Sequence, residues 1–534
     1  MPDTLSLTLA QLNPVVGDIA GNTQKILDVW KKSDADMVVF AEMVICGYPP
    51  EDLVLKPGFV KTIHEHIDEL LAASKDFKAA ALISCPWQID GDVYNAVHVI
   101  EGGKIIHTQT KHHLPNYGVF DEYRIFKSGP LPDAFEFKGR KLGILICEDM
   151  WYPNVAEHLK KQGAKAFIVP NGSPFETTKD ETRFDIARDR VKETELPLIY
   201  VNQVGGQDEL VFDGASFIMD PHGKILFQGP EFIEGTYDVT YAFDDDSVSG
   251  DASVENLSGD AELYGALKLG LKDYIEKNGF PGLVLGLSGG IDSALAATIA
   301  VDALDPERVQ CVMMPSPYTS QDSLDDAQAL AENLGCAYEI IPIEKAMTAF
   351  EGTIEDLSGV GHENMQSRVR GLILMALSNM SGKMVLSNGN KSEMAVGYAT
   401  LYGDMCGGFN VIKDLYKMQV YALARWRNKL SPVIPERILT KAPTAELKDN
   451  QTDQDSLPPY DVLDGILECL IEEDLSVADI VSRGFEKDTV LRVWQMLDRA
   501  EYKRRQSPPG VKITARNFGR DRRYPITNHY LKSI

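Results

Sequence analysis

Three reactive side chains in the first half of the chain each stand directly behind an apolar, strand-like run. MVVFA leads into Glu42, KIIHTQT into Lys111 and LGILI into Cys147. The ends of strands in α/β sheets are where sites tend to be built, since the scaffold is rigid there and the loop beyond it is free. A carboxylate, an ammonium and a thiol suffice for amide cleavage. The carboxylate removes the thiol proton and later passes it to departing ammonia. The ammonium, with a backbone N–H after the cysteine, steadies the oxyanion of the tetrahedral intermediate. A lone cysteine behind an apolar strand is ordinarily buried core, which is the reading for Cys85 and Cys311. Cys147 differs because Glu148 and Asp149 follow at once, and a purely apolar niche would not hold them. Spacing alone leaves the triad and the buried-core reading both open.

A second constellation lies in LVLGLSGGIDSALAATIAV, which reads as a strand, a Gly-rich turn and a helix. Glycines let backbone N–H groups approach a phosphate chain, and the helix N-terminus adds partial positive charge. Ser288 and Ser293 add hydroxyl donors, and Asp292 could hold Mg²⁺. The GxxxxGK[ST] pattern of a Walker A loop is absent. Near the end of the chain, from Glu501 onward, nine Lys/Arg stand against two acids, Glu501 and Asp521. On charge alone that stretch reads as a solvated basic tail.

The elements that must carry these residues fall into two stretches of alternating β and α signals. The first contains LSLTLAQL, DMVVFAE, AALISCP, NAVHVI, KLGILICE, AKAFIVPNG, PLIYVNQV and GASFIMD, most of them set between helix-like segments such as NTQKILDVWKKS. That pattern suits strands packed with helices on their outer faces. The second contains GLVLGLS, RVQCVMMPS, AYEIIPI and KMVLSNG, and its alternation with helices argues for a parallel, doubly wound sheet. Between them FDDDSVSGDASVENLSGD, residues 243–260, is acidic, rich in Ser and Gly and poor in large apolar residues. It reads as a linker, giving domains at 1–242 and 261–534.

Bulk properties bound the function. A chain of 534 residues is too long for one core. Its net charge of −26 speaks against a general nucleic-acid binder. No apolar run approaches the roughly 18–20 residues of a membrane span, and the opening residues lack the pattern of a signal peptide. Seven cysteines, scattered and without a CxxC pair, argue against a disulfide framework or zinc site and for a reducing cytoplasm.

FAEMVICGYPPEDL, KHHLPNYGVFDE, ICEDMW and NGSPF, in that order, resemble the nitrilase-type glutaminase domain of the glutamine-dependent NAD synthetases. The resemblance implies Glu42 as general base, Lys111 as oxyanion stabiliser and Cys147 as nucleophile. It also places Tyr117, Glu148, Ser173 and Lys179 around bound glutamine. Gly172 stands where that family often carries Ala. SGGIDS resembles the pyrophosphate loop of enzymes that cleave ATP between the α and β phosphates, so the resemblance implies ATP contacts from Gly286, Leu287, Ser288, Gly289, Gly290, Ile291, Asp292 and Ser293. MPSPYTSQDSLDDA, ENMQSRVRG, SNGNKSEMAVGYATLYGDM, KDLYKMQVYALARW, ELKDNQTDQDSLPPYDVLD and EYKRRQSPPGVKIT are similar to the synthetase domain of the same family. Carried over residue by residue, Glu393 joins Asp292 as a Mg²⁺ ligand, and Lys417 contacts ATP phosphate. Asn388, at a position usually taken by Thr, also belongs to the ATP site, where its amide can hydrogen-bond. Asn364, Glu393 and Lys503 fall near deamido-NAD, which turns the basic stretch from a solvated tail into a substrate neighbour.

The fold class implied is α/β, a nitrilase-like α-β-β-α sandwich followed by a Rossmann-like doubly wound parallel sheet. The substrates implied are deamido-NAD, ATP and glutamine or ammonia, with Mg²⁺ as cofactor, and the family's members assemble as homo-oligomers. Two alternatives stand beside this reading. One is another glutamine-dependent adenylating amide synthetase, but those families pair the SGGxDS loop with different glutaminase domains. The other is a nucleotide-binding regulatory protein, which would be expected to lack at least one of Glu42, Lys111, Cys147 or Asp292.

Overall fold

The computed structural model describes residues 3–177, 179–449, 451–528 and 530, without the side chains of residues 179–181. The chain divides into two compact units, Met1–Ser258 and Gly259–Ile534.

Among the described residues fifteen strands build the first unit. Strands β1 (Thr4–Gln11), β2 (Met37–Phe40), β3 (Ala80–Ile89), β4 (Asp92–Glu101) and β5 (Lys104–Thr110) belong to one sheet. Strands β6 (Phe135–Phe137), β7 (Arg140–Ile144), β8 (Phe167–Asn171) and β9 (Leu198–Asn202) belong to a second. A two-stranded ribbon, β10 (Val204–Gln207) and β11 (Leu210–Asp213), precedes β12 (Phe217–Met219) and β13 (Ile225–Gln228), which complete the second sheet. Strands β14 (Gly235–Ala242) and β15 (Ser247–Gly250) return to the first. The sheets run in the orders β15-β14-β1-β2-β3-β4-β5 and β13-β12-β9-β8-β7-β6.

The two-residue period of the strands decides what faces what. On β2, Met37 and Val39 join Leu5, Leu7 and Leu9 of β1 against Leu142, Ile144, Ile168 and Ile199 of the second sheet, so the sheets pack face to face. Val38 and Phe40 point the other way, onto Ile26 and Trp30 of α1 (Ile19–Trp30) and Ile63 and Ile67 of α2 (Pro57–Ala73). The far face of the second sheet is covered in the same way by α3 (Pro153–Lys161) and α4 (Lys179–Thr194), through Leu159, Ala187 and Val191. The result is an α-β-β-α sandwich. Strand β15 lies inside the stretch whose composition reads as linker. Its SVSG sequence has no apolar alternation, and it forms by antiparallel pairing with β14 at the edge of the sheet.

In the second unit α5 (Asp260–Lys277) leads into β16 (Leu283–Gly286), α6 (Ile291–Leu304), β17 (Val309–Met313), α7 (Gln321–Leu334) and β18 (Ala337–Ile340). Then come α8 (Glu344–Glu351), α9 (Val360–Ser381), β19 (Met384–Ser387), α10 (Lys391–Val396), β20 (Phe409–Asn410) and α11 (Lys417–Leu430). The five strands are all parallel in the order β18-β17-β16-β19-β20. The order reverses between β16 and β19. Ligands of such sheets lie at the carboxyl ends of the strands flanking that reversal. Among the described residues no helix is long and apolar enough to cross a membrane.

Candidate functional sites

In the first unit the carboxyl ends of β2, β5, β7 and β8 bring the triad together. Glu42 and Lys111 are fully buried and Cys147 is 4% exposed. Lys111 Nζ donates to Glu42 Oε1 at 2.8 Å and to Glu122 Oε1 at 2.9 Å. Asn95 Nδ2 donates to the same Glu42 Oε1 at 2.7 Å, and the Gly172 N–H donates to Glu42 Oε2 at 3.0 Å. That Gly172 amide also lowers the Cys147 thiol, so it acts on both carboxylate and thiol. Cys147 itself holds a φ of +47°, the left-handed region that a Cβ-bearing residue rarely occupies. The strain is stored at the turn that follows β7.

Electrostatics set the resting charges. Burial pushes the Cys147 thiol well above its usual range; Glu42 and Glu148 add to the rise, and Lys111 and the Gly172 amide oppose it. The thiol therefore rests neutral. Burial opposes the charge on Lys111, but the Glu122 and Glu42 carboxylates overcome it and hold the ammonium well above the usual lysine range. Glu122 is pushed up to about 7 by burial, against the pull of Lys111.

Around this centre Tyr117 donates its hydroxyl to Glu148 Oε2 at 3.0 Å. The Ser173 N–H donates to Asn202 Oδ1 at 3.0 Å, and Asn202 is held in turn by Asp213 and the buried Arg183–Asp213 pair. The side chain of Lys179 lies outside the described residues. Asp149 is buried yet satisfied, accepting N–H bonds from His112, His113 and Ile146. Burial raises its carboxyl to about 7. Gly172 has a local reason: a Cβ there would stand 2.9 Å from Tyr48 Cδ1 and 3.2 Å from Glu42 Oε2.

Sequence reasoning missed Glu122 and Asn95. Glu122 closes the KHHLPNYGVFDE motif, but nothing local marks it as the second carboxylate on Lys111. Asn95 had one signal, a polar residue opening the buried run of β4.

In the second unit a cavity of about 280 Å³ opens at the β16–β19 reversal. It is lined by the whole Gly286–Ser293 loop and by Asn388, Glu393 and Lys417. Ser293 Oγ accepts from the Ser288 N–H at 3.2 Å and donates to the Gly290 carbonyl at 3.1 Å, which pins the loop. Lys417 Nζ donates to Glu393 Oε1 at 3.1 Å and pairs with Asp292 Oδ2. Burial opposes the Lys417 charge, but Asp292 and Glu393 hold the ammonium above its ordinary range. Burial also raises Glu393, to about 8. Asn388 Nδ2 donates to the Gly286 carbonyl at 3.2 Å.

Among the described residues no three of His, Cys, Asp or Glu gather to cage a metal. The Asp292–Glu393 pair nevertheless fits Mg²⁺. That ion takes one or two carboxylates and completes its shell with water and phosphate oxygens, and an ammonium already drawn between the two marks the spot as one that favours a cation. Asp453, also unforeseen, lines the same cavity and accepts from Tyr460 at 2.9 Å.

Asn364 and Lys503 are not among the cavity-lining residues. Asn364 Oδ1 accepts from Thr400 at 2.8 Å. Lys503 Nζ donates to the Gly397 and Ala399 carbonyls at 2.8 Å each, and Ala399 is itself on the cavity wall. The basic stretch is only partly solvated: Arg504, Lys512 and Arg522 are buried, Arg505, Arg520 and Arg523 are exposed, and Pro508 lines the cavity. Arg504 is buried and donates to the Ala395 carbonyl at 2.5 Å and to Glu501 at 2.8 Å, while Arg522 pairs with the same Glu501. These contacts satisfy the carboxyl end of α10, the helix that carries Glu393.

Residues 6–245 match the carbon-nitrogen hydrolase family and residues 263–507 match the NAD synthase family. The chain is 47% identical to a glutamine-dependent NAD(+) synthetase of Rhodobacter capsulatus over 99% of both chains. It is 44% identical to one from Acinetobacter baylyi over 98% of both. The solved structure of a glutamine-dependent NAD(+) synthetase from Acinetobacter baumannii, in complex with adenosine diphosphate, superposes with a TM-score of 0.79. That pair is 44% identical over 98% of each chain.

Proposed function

The chain belongs to the glutamine-dependent NAD(+) synthetases, carbon–nitrogen ligases, and from that premise we propose how its two sites divide the work. The overall reaction is deamido-NAD, ATP, glutamine and water to NAD, AMP, diphosphate and glutamate. The observation that carries the reading is the presence, in one chain, of the buried Glu42–Lys111–Cys147 centre and of the Ser288–Ser293 loop beside Asp292, Glu393 and Lys417.

At the first site Glu42 accepts the Cys147 proton through Oε2, and the thiolate attacks the side-chain amide carbon of glutamine. Lys111, kept charged by its two carboxylates, and the backbone N–H after Cys147 steady the oxyanion. As the tetrahedral intermediate collapses, Glu42 passes the proton to the departing nitrogen, leaving ammonia and a thioester. Glu42 then takes a proton from water as it attacks the thioester, glutamate leaves, and the proton returns to sulfur. Tyr117, Glu148, Ser173 and Lys179 surround the bound glutamine.

At the second site the loop amides and the start of α6 receive the leaving diphosphate. The nicotinate carboxylate of deamido-NAD attacks the α phosphate, giving an acyl adenylate, and ammonia displaces AMP from the acyl carbon. Asp292 and Glu393 would hold Mg²⁺, which when bound offsets phosphate charge. Lys417 and Asn388 contact ATP, and Asn364, Glu393 and Lys503 stand on the deamido-NAD side. Passing ammonia between the sites within the protein is favoured because free ammonia at neutral pH is mostly the non-nucleophilic ammonium.

The adenylate is tested with deamido-NAD carrying ¹⁸O in its nicotinate carboxylate. One labelled oxygen is expected in the AMP formed. AMP free of label would mean the carboxylate is never adenylated.

A further inference from the structure

Asn95 lies at the junction of the two groups that flank Cys147. Its neighbours two and four residues on, Val97 and Val99, point between the sheets, and the strand period sends the Asn95 side chain the same way. There it is fully buried. Its Nδ2 donates to Glu42 Oε1 at 2.7 Å, and its backbone carbonyl accepts the Lys111 N–H at 2.8 Å. One residue of β4 thus holds the carboxylate by its side chain and the start of the lysine by its main chain.

We infer that Asn95 is a positioning residue for the glutaminase centre: it fills Glu42 Oε1 and so leaves Oε2 as the oxygen that exchanges a proton with Cys147. The assignment rests on the reading of Glu42 as the base. Lys111 alone could not fix the carboxylate, because its ammonium is shared with Glu122 at 2.9 Å. Among the described residues Oε1 therefore has two donors, whereas Oε2 has only the Gly172 N–H, whose amide also lowers the Cys147 thiol. The amide orientation is forced, since turning it over would set Oδ1 against the carboxylate. In the orientation observed, Oδ1 is buried with no hydrogen-bond partner among the described residues. An unpaired buried oxygen is a standing cost, and the donor on the other side of the same amide is what the strand gains for it.

The test compares Asn95→Ala with Asn95→Asp, which keeps the shape but replaces the N–H donor by a second carboxyl oxygen. Glutamine hydrolysis, ammonia-supported NAD synthesis and melting temperature are measured on each full-length protein, with Cys147→Ala in parallel. Loss of one hydrogen bond to a charged group predicts a fall in glutaminase kcat of about 10- to 100-fold in both variants. KM for glutamine should stay within about threefold, since the amide touches the base and not the substrate. Ammonia-supported synthesis should be unchanged. Wild-type kcat in both variants would overturn the assignment, as would a defect confined to KM or a parallel loss of ammonia-supported synthesis. Full glutaminase activity in Cys147→Ala would instead overturn the reading of the site itself.

Discussion

At the scale of single residues, burial decides which groups rest charged. Cys147 and Lys111 are both buried among carboxylates, yet one is held neutral and the other ionised, because a nearby negative charge disfavours a thiolate and favours an ammonium. His98 on β4 shows the same rule away from the site. It is fully buried, its Nδ1 lies 2.9 Å from Thr108 Oγ1, and its Nε2 has no hydrogen-bond partner among the described residues. Burial lowers it from 6.5 to about 4, with His64 and His107 adding to the shift. Between those two values the unfolded chain binds a proton that the folded chain refuses, so this contribution to stability is lost as pH falls from about 6.5 toward 4. Glu122 and Asp149, both raised to about 7, act with the opposite sign: their contribution is present at low pH and lost as pH rises through 7. The His98 part is therefore read as a difference between proteins. In chemical unfolding, His98→Asn should lose about 2–3 kcal/mol less than the wild type between pH 7.5 and 4.5. Parallel losses would show that His98 is not the titrating group.

At the scale of elements, the Gly286–Ser293 loop, proposed to receive phosphate, depends on one backbone shape. Gly289 has a φ of +77°, and a Cβ there would stand 2.5 Å from the Ser323 carbonyl oxygen. Gly289→Ala must move the loop or α7, so the N–H groups no longer converge on one anion. NAD synthesis is expected to fall at least about tenfold with glutamine and with ammonia, mostly as a rise in KM for ATP, while glutamine hydrolysis survives. An unchanged KM for ATP would remove the loop from the nucleotide site. This loop was legible in the sequence because strand, glycines and helix are consecutive, as were Glu42, Lys111 and Cys147, each closing an apolar run. Asn95 and Glu122 were not, because their roles exist only once β2, β3, β4 and β5 lie side by side. Strand order is long-range information. The internal pairing of the 501–522 segment was hidden for the same reason: Arg504 and Arg522 meet α10 and Glu501 through contacts that no local pattern encodes.

At the scale of the whole molecule, the chain is two units with separate cores, one a sandwich around Leu7, Val39 and Ile144, the other a parallel sheet around Val284, Val312 and Val385. Each core positions a cluster of reactive groups at its own strand ends. A change confined to one centre should therefore leave the chemistry of the other intact. The most direct measurement is NAD formation by Cys147→Ala, assayed in one preparation with glutamine and with ammonia as the nitrogen source. Glutamine-supported synthesis is predicted to fall at least about 10³-fold, as the proposed nucleophile is gone, with ammonia-supported synthesis within about twofold of wild type. Equal loss with both nitrogen sources, or retention of glutamine-supported synthesis, would contradict the division of labour.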